Sequence, residues 1–242
     1  MEVGIVYFTD NRCEERIVDV CRRQILRCTD MSIVSVSHYP IDFGKNIVVD
    51  LPRSTKSLFT QILIGAEENK ADILFLCEHD VLYSPGHFEA RPNNRKFFYN
   101  LNRWAVDWRT GHALYRYSCC TSLCVARRES ILNHFSKLLK LIEEGGYHRS
   151  RHGFAPGTHR IPGVCGRSKR TFSSKVPCVD IRHATNFTPN RWKKKQFRNP
   201  HSIKWWKESD GIPGWGKTEG RFDDFIREVD EGKLPKEVGE EK

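Results

Sequence analysis

The chain has 242 residues, 38% of them hydrophobic, enough to bury one large α/β core and too many for a largely disordered chain. Forty Lys and Arg against 30 Asp and Glu give a formal charge of +10, which favours a polyanionic partner such as nucleic acid or an acidic surface. Nine cysteines, an odd number with no Cys-x-x-Cys, argue against a zinc ribbon and a secreted disulfide framework and for reduced thiols.

In chain order, Val3–Phe8 reads as a strand running into Thr9-Asp10-Asn11-Arg12. A helix from Glu14 to Cys28 follows, with Ile17, Val20, Cys21 and Ile25 at helical spacing. Ile33–Val36 is a second strand, and Leu58 to Asn69 a helix with Leu58, Ile62 and Ala66 on one face. The apolar run DILFL is then a fully buried strand. Strand, helix, strand, helix, strand predicts a parallel sheet ending near residue 90. Beyond it, Thr110-Gly111 between aromatic-rich segments predicts an antiparallel hairpin, followed by a helix over 128–143. Residues 145–175, rich in Gly, Arg, His and Ser, read as a long loop. A late strand, Val179–Arg182, precedes HATNFTPNRWKKKQFR. The charged residues 233–242 are expected to fray. No run of about 18 apolar residues occurs and MEVGIVYFTDNR lacks the features of a signal peptide, so no membrane association and a cytoplasmic location are expected.

The buried DILFL run ends in Cys77, Glu78, His79 and Asp80, and in open α/β sheets ligands bind beyond the carboxyl ends of the strands. Strand alternation puts Glu78 and Asp80 on one side with His79 opposite. Two adjacent carboxylates repel unless a cation lies between them, and oxygen donors suit Mn²⁺ or Mg²⁺ with phosphate completing the shell. The competing reading is a helix cap or turn in which Asp80 acts only locally. Thr9, Asp10, Asn11 and Arg12 occupy a strand-to-helix junction, where free N–H groups can bind the acceptors of a nucleotide or simply cap the helix. Arg53 and Lys56 flank a helix start, where cations oppose the dipole and anion binding supplies a reason for them.

With EHDVLYSPGHFE and DIRHATNFTPNRW in order, the sequence resembles the GT-A-fold glycosyltransferases, and among them the phage and metagenomic DNA glycosyltransferases associated with TET/JBP-type base hydroxylases. The resemblance implies one α/β unit over residues 1–232, with a nucleotide-binding parallel-sheet half (1–90) joined to a mixed, hairpin-rich acceptor half (91–232). It implies an enzyme that moves a sugar from a nucleotide-sugar, a UDP-sugar by expectation, to a hydroxymethylated pyrimidine in duplex DNA of a phage-infected or bacterial cell. Glu78-His79-Asp80 stands where the family has its acidic metal-binding motif, with Glu in place of the usual first Asp. Asp80 would then bind Mn²⁺ or Mg²⁺, Glu78 the metal or the nucleotide ribose, His79 the donor, and His183 would be a second protein ligand.

Asp107, an isolated acid in the hairpin, is the candidate base for the acceptor hydroxyl, with Asp180 a weaker choice and the adjacent Trp108 placed at the acceptor. Arg151 in the long loop, and Arg191, Trp192, Lys193, Lys194 and Lys195 with Arg198, would meet DNA phosphates and bases. Two readings from other classes remain: a nuclease using Glu78 and Asp80 for Mg²⁺, and a DNA-binding module without catalysis. A glycosyltransferase with a different acceptor is the third alternative.

Overall fold

The computed structural model describes residues 1–197, 203 and 205–236. The first part of the chain alternates strands and helices: β1 (Val3–Thr9), α1 (Glu15–Cys28), β2 (Ser32–Ser37), β3 (Lys45–Val48), α2 (Thr55–Glu68), β4 (Ile73–Glu78) and β5 (Val81–Leu82). There follow β6 (Phe97–Asn100), the hairpin β7 (Arg103–Asp107) and β8 (Ala113–Tyr115), β9 (Cys124–Arg127), α3 (Arg128–Gly145) and the single turn α4 (Arg149–His152). Then come β10 (Lys169–Phe172), β11 (Cys178–Arg182), the two-residue strands β12 (Glu208–Ser209), β13 (Gly211–Ile212) and β14 (Gly216–Lys217), and α5 (Phe222–Asp230).

A seven-stranded sheet has the order β10-β6-β9-β4-β1-β2-β3, and β1 to β4 pair in parallel as the sequence implies. β9 joins antiparallel to both β4 and β6. A second sheet, β12-β8-β7-β11-β5, holds the hairpin and the late strand. The division at residue 90 therefore does not match the division between sheets. β6, β9 and β10 return to the first sheet, and β5 leaves it.

Alternation along the central strands explains how both faces are covered. Val6, Phe8, Leu74 and Leu76 face α2 and α3 through Phe59, Ile62, Ala66, Ile131 and Phe135. Ile5, Tyr7, Ile73, Phe75 and Cys77 face Ile25 of α1, Phe43, Tyr83 and Phe88. With side chains buried on both faces, β4 is apolar at consecutive positions, as DILFL reads. α1 also turns Ile17, Val20 and Cys21 to the core shared by the second sheet and α5. A Cβ at Gly65 in α2 would lie 2.4 Å from Val6 Cγ1, so this glycine sets the approach of α2 to β1.

Two expectations are corrected, and one helix was not foreseen. The 145–175 stretch contains α4 and an edge strand: β10 runs parallel to β6 with mostly exposed side chains, which is why its sequence, KRTF, lacks an apolar signal. α5 is amphipathic and docks Phe222, Phe225, Ile226 and Val229 into the second core. The start of the C-terminal tail is fixed, since Leu234 is buried and the Lys236 N–H donates to the Gly214 carbonyl. Residues 237–242, and Arg198, lie outside the described residues. Among the described residues no helix is long and apolar enough to cross a membrane.

Candidate functional site

β4 ends at Glu78, residues 79–80 form a turn, and β5 carries the chain into the second sheet. The turn is closed by Tyr83, whose hydroxyl accepts the Glu78 N–H at 2.9 Å and donates to the Ser122 carbonyl at 2.8 Å. It is held to β11 by the Ile181 N–H donating to the Asp80 carbonyl at 2.8 Å. Turn geometry overrides strand alternation here. His79 lies on the same side as Glu78 and Asp80, and all three line one open cavity of about 940 Å³.

His183, just past β11, faces Asp80: Nε2 is 3.5 Å from Oδ2, and the two side chains are 4% and 9% exposed. Asn186 Nδ2 donates to the same Asp80 oxygen at 2.7 Å, and Asn186 Oδ1 accepts the His183 N–H at 2.6 Å. The tautomer of His183 follows from its other nitrogen. Thr185 Oγ1 donates its single proton to the Arg12 carbonyl, so toward His183 Nδ1, 3.0 Å away, it acts as acceptor. Nδ1 therefore carries the hydrogen, and in the neutral imidazole Nε2 is left with a lone pair. That nitrogen is buried with no hydrogen-bond partner, 3.5 Å from the carboxylate oxygen. A proton on Nε2 or a metal cation between the two groups would satisfy both.

Burial raises the Asp80 carboxyl, but a hydrogen bond from a protonated His183, positive charge on His79 and His183 and the Arg182 guanidinium outweigh it and hold the group at about 2, so positive charge beside this carboxylate, on a protonated imidazole or a bound cation, keeps it ionised. Burial, then the charges of Asp80 and Asp180, push Glu78 well above the usual carboxylate range. Burial lowers His79 and favours the neutral imidazole, the form that binds metals. Asp80 and His183 lie side by side, and Glu78 and His79 line the cavity with Asp80.

The cavity is electropositive. Eight basic side chains line it, Arg53, Arg103, Arg149, Arg167, Lys169 and Arg191 among them, against four carboxylates, Asp10, Glu78, Asp80 and Asp180. Two of those carboxylates are already ion-paired: Asp10 with Arg53 at 2.5 Å, and Asp180 with Arg103 at 3.6 Å and Arg182 at 3.3 Å. Burial, then repulsion from Arg103, lowers Arg116 to about 10. Beside β1 a slot of about 50 Å³ is lined by Thr9, Asp10, Arg53, Ser54, Gln61 and Phe187. Ser54 caps α2 there by accepting the Ser57 N–H.

The other sequence-predicted residues divide. Thr9, Asp10 and Arg191 border the cavities. Asn11 does not: with φ of 55° its Oδ1 accepts the N–H groups of His38 and Tyr39, a local turn role. Arg12 is exposed, and only its carbonyl reaches the site. Lys56 pairs with Glu143 at 3.2 Å, outside both cavities. Asp107 is corrected most clearly, because its Oδ1 accepts the N–H groups of Arg109 and Thr110 and closes the hairpin away from the cavity. Trp108 packs against the second core beneath Arg109, and Trp192 lies edge-on to His112 at 5.9 Å. Arg151 is exposed outside the cavity, where Arg149 takes a lining position instead, and Lys193, Lys194 and Lys195 are exposed on a 3₁₀ turn. Sequence reasoning missed Arg103, Arg116, Thr185 and Asn186. The last two had a signal, since HATN places a hydroxyl and an amide two and three residues after the histidine.

Neither a protein-family model nor a curated protein matches the sequence. Among solved structures the chain is similar to the crystal structure of a glycosyltransferase involved in the glycosylation of the major capsid of PBCV-1. The identity is 9% and the TM-score 0.45, over 74% of this chain and 93% of that one. At that distance the likeness bears on neither chemistry nor substrate.

Proposed function

We propose that the protein is a metal-dependent glycosyltransferase that moves a sugar from a nucleoside diphosphate donor, a UDP-sugar, to a hydroxymethylated pyrimidine in duplex DNA. The observation that carries this reading is the Asp80–His183 pair, a buried imidazole nitrogen with no hydrogen-bond partner 3.5 Å from a carboxylate oxygen, at the end of a buried parallel strand and at the edge of a cation-rich cavity. Asp80 and His183 would hold the cation, with Glu78 beside them. When bound, such an ion neutralises charge on a departing diphosphate. The chain's own residues do the rest. The slot between β1 and α2 orients the nucleobase, and Arg116, Arg149 and Lys169 bind phosphate oxygens in a space that four carboxylates leave positive. Asp180, held by two arginines, anchors them on the cavity floor.

A DNA acceptor is supported by the excess of cations in the cavity and by the exposed lysines at 193–195, which continue that charge outside it. Incubation with Mn²⁺ and a panel of nucleotide sugars is expected to release UDP slowly from one of them, and hydroxymethylated DNA is expected to accelerate the release and gain the mass of the sugar. Unmodified DNA offers no such hydroxyl and is expected to gain nothing. Strand cleavage without sugar incorporation would replace this reading with the nuclease.

Thr185 supplies a second test. Thr185→Val removes the acceptor that fixes the His183 Nδ1–H, and it is expected to lower divalent-cation affinity about 10–100-fold while leaving the fold intact. Calorimetric titration of Mn²⁺ reads this directly, and an unchanged affinity would show that His183 does not ligate through Nε2.

A further inference from the structure

A thiol lies beside the proposed cation site. Cys13, on the connection from β1 to α1, offers Sγ within 4.8 Å of a ring nitrogen of His79 and one of His183, and the two nitrogens are equally close to each other. His183 Nε2 and His79 Nδ1 are buried with no hydrogen-bond partner, and the His183 side chain is 96% buried. The connection is not a loose loop. Asn11 pins it to residues 38 and 39, and the Arg12 carbonyl accepts from Thr185 Oγ1, the same hydroxyl that orients His183. Cys13 and His183 are therefore held against one another through a single threonine.

The geometry points to a cation site whose donors are the Cys13 thiolate and the imidazoles of His79 and His183, with the Asp80 carboxylate beside His183, and which binds Zn²⁺ or Co²⁺ ahead of Mg²⁺ and Mn²⁺. The inference rests on the cation site of the proposed function and revises the identity of its metal. One sulfur and two nitrogens form a borderline-soft set. Mg²⁺ requires oxygen in near-octahedral order, and Mn²⁺ binds such donors more weakly than the later divalent metals. Donors on one tetrahedral ion, with bonds of about 2.0–2.3 Å, stand roughly 3.5 Å apart, so the side chains close on the ion by about 1 Å. As the Sγ–metal bond forms, the thiol proton passes to solvent.

The test is spectroscopic. Protein freed of metal by a chelator and loaded with one equivalent of Co²⁺ is expected to show a near-ultraviolet thiolate-to-cobalt charge-transfer band with strong visible absorption. Cys13→Ser is expected to lose that band and about 10–100-fold in Zn²⁺ affinity. X-ray absorption at the zinc edge of the wild type, which needs no variant, is expected to show one sulfur at about 2.3 Å. A cobalt spectrum without the band, a band that survives Cys13→Ser, or a zinc shell of oxygen and nitrogen only would overturn the inference. Failure of the functional reading is a separate result: the thiolate band is present, yet no divalent cation supports UDP binding or sugar release.

Discussion

Replacing Asp80 with asparagine is expected to abolish the rise in Tm that Mn²⁺ plus UDP gives the wild type and to cut sugar release by at least about 100-fold. Ligand at about 100 times its dissociation constant stabilises the native state by about 2.7 kcal/mol, which in a chain of this size is a shift of roughly 5–10 °C. Without ligand, the same variant is expected to keep the wild-type Tm within about 2 °C, because the amide oxygen can take the place of the Asp80 oxygen that accepts from Asn186 at 2.7 Å, and a neutral His183 Nε2 3.5 Å from that oxygen neither gains nor loses a hydrogen bond. If Asp80 and a protonated His183 formed a salt bridge instead, Asp80→Asn would lower the Tm of the unliganded protein by several degrees.

Neutralising Arg191, Lys193, Lys194 and Lys195 together is expected to weaken duplex DNA binding by about 10²–10³-fold at physiological salt. The slope of log K against log salt is expected to flatten by as much as about 3.6, since each phosphate contact contributes about 0.9. The three lysines are exposed, and Arg191 sits at the cavity edge with its guanidinium 5.8 Å from the centre of the Phe197 ring. Donor binding is expected to persist, because Asp80, His183 and the slot beside β1 lie elsewhere. Filter binding across a salt series measures the slope, and UDP-induced melting shifts measure the donor. An unchanged slope would move the DNA surface to Arg149, Arg167 and Lys169 inside the cavity.

The parallel half of the fold was legible because its signals are local. DILFL is apolar at consecutive positions since β4 is covered on both faces, and α1 repeats its apolar residues at helical spacing since it lies against both sheets. Asp80 was legible as an acid beyond a buried strand. The connection between sheets was not, because β5 has two residues and β10 carries no apolar pattern. Asp107 misled for a physical reason: an acid before Arg109-Thr110-Gly111 has unpaired N–H groups within reach, and turn formation claims its oxygens first. Cys13 looked like one of nine scattered thiols. Its nearness to His183 is created by contact between segments 170 residues apart, which no local pattern encodes.

The turn at Glu78-His79-Asp80 is also the place where the chain passes from one sheet to the other. Cys13 and Glu78 belong to the first sheet and its connections, while the Asp80 backbone and His183 are tied to β11 of the second. A ligand that bridges these groups is a cross-link between two hydrophobic cores. Its binding energy adds to their cooperativity, so the protection it gives against hydrogen exchange would reach beyond the cavity into β1 and β11 together, and the loaded protein would open as one unit where the unloaded one can open in two.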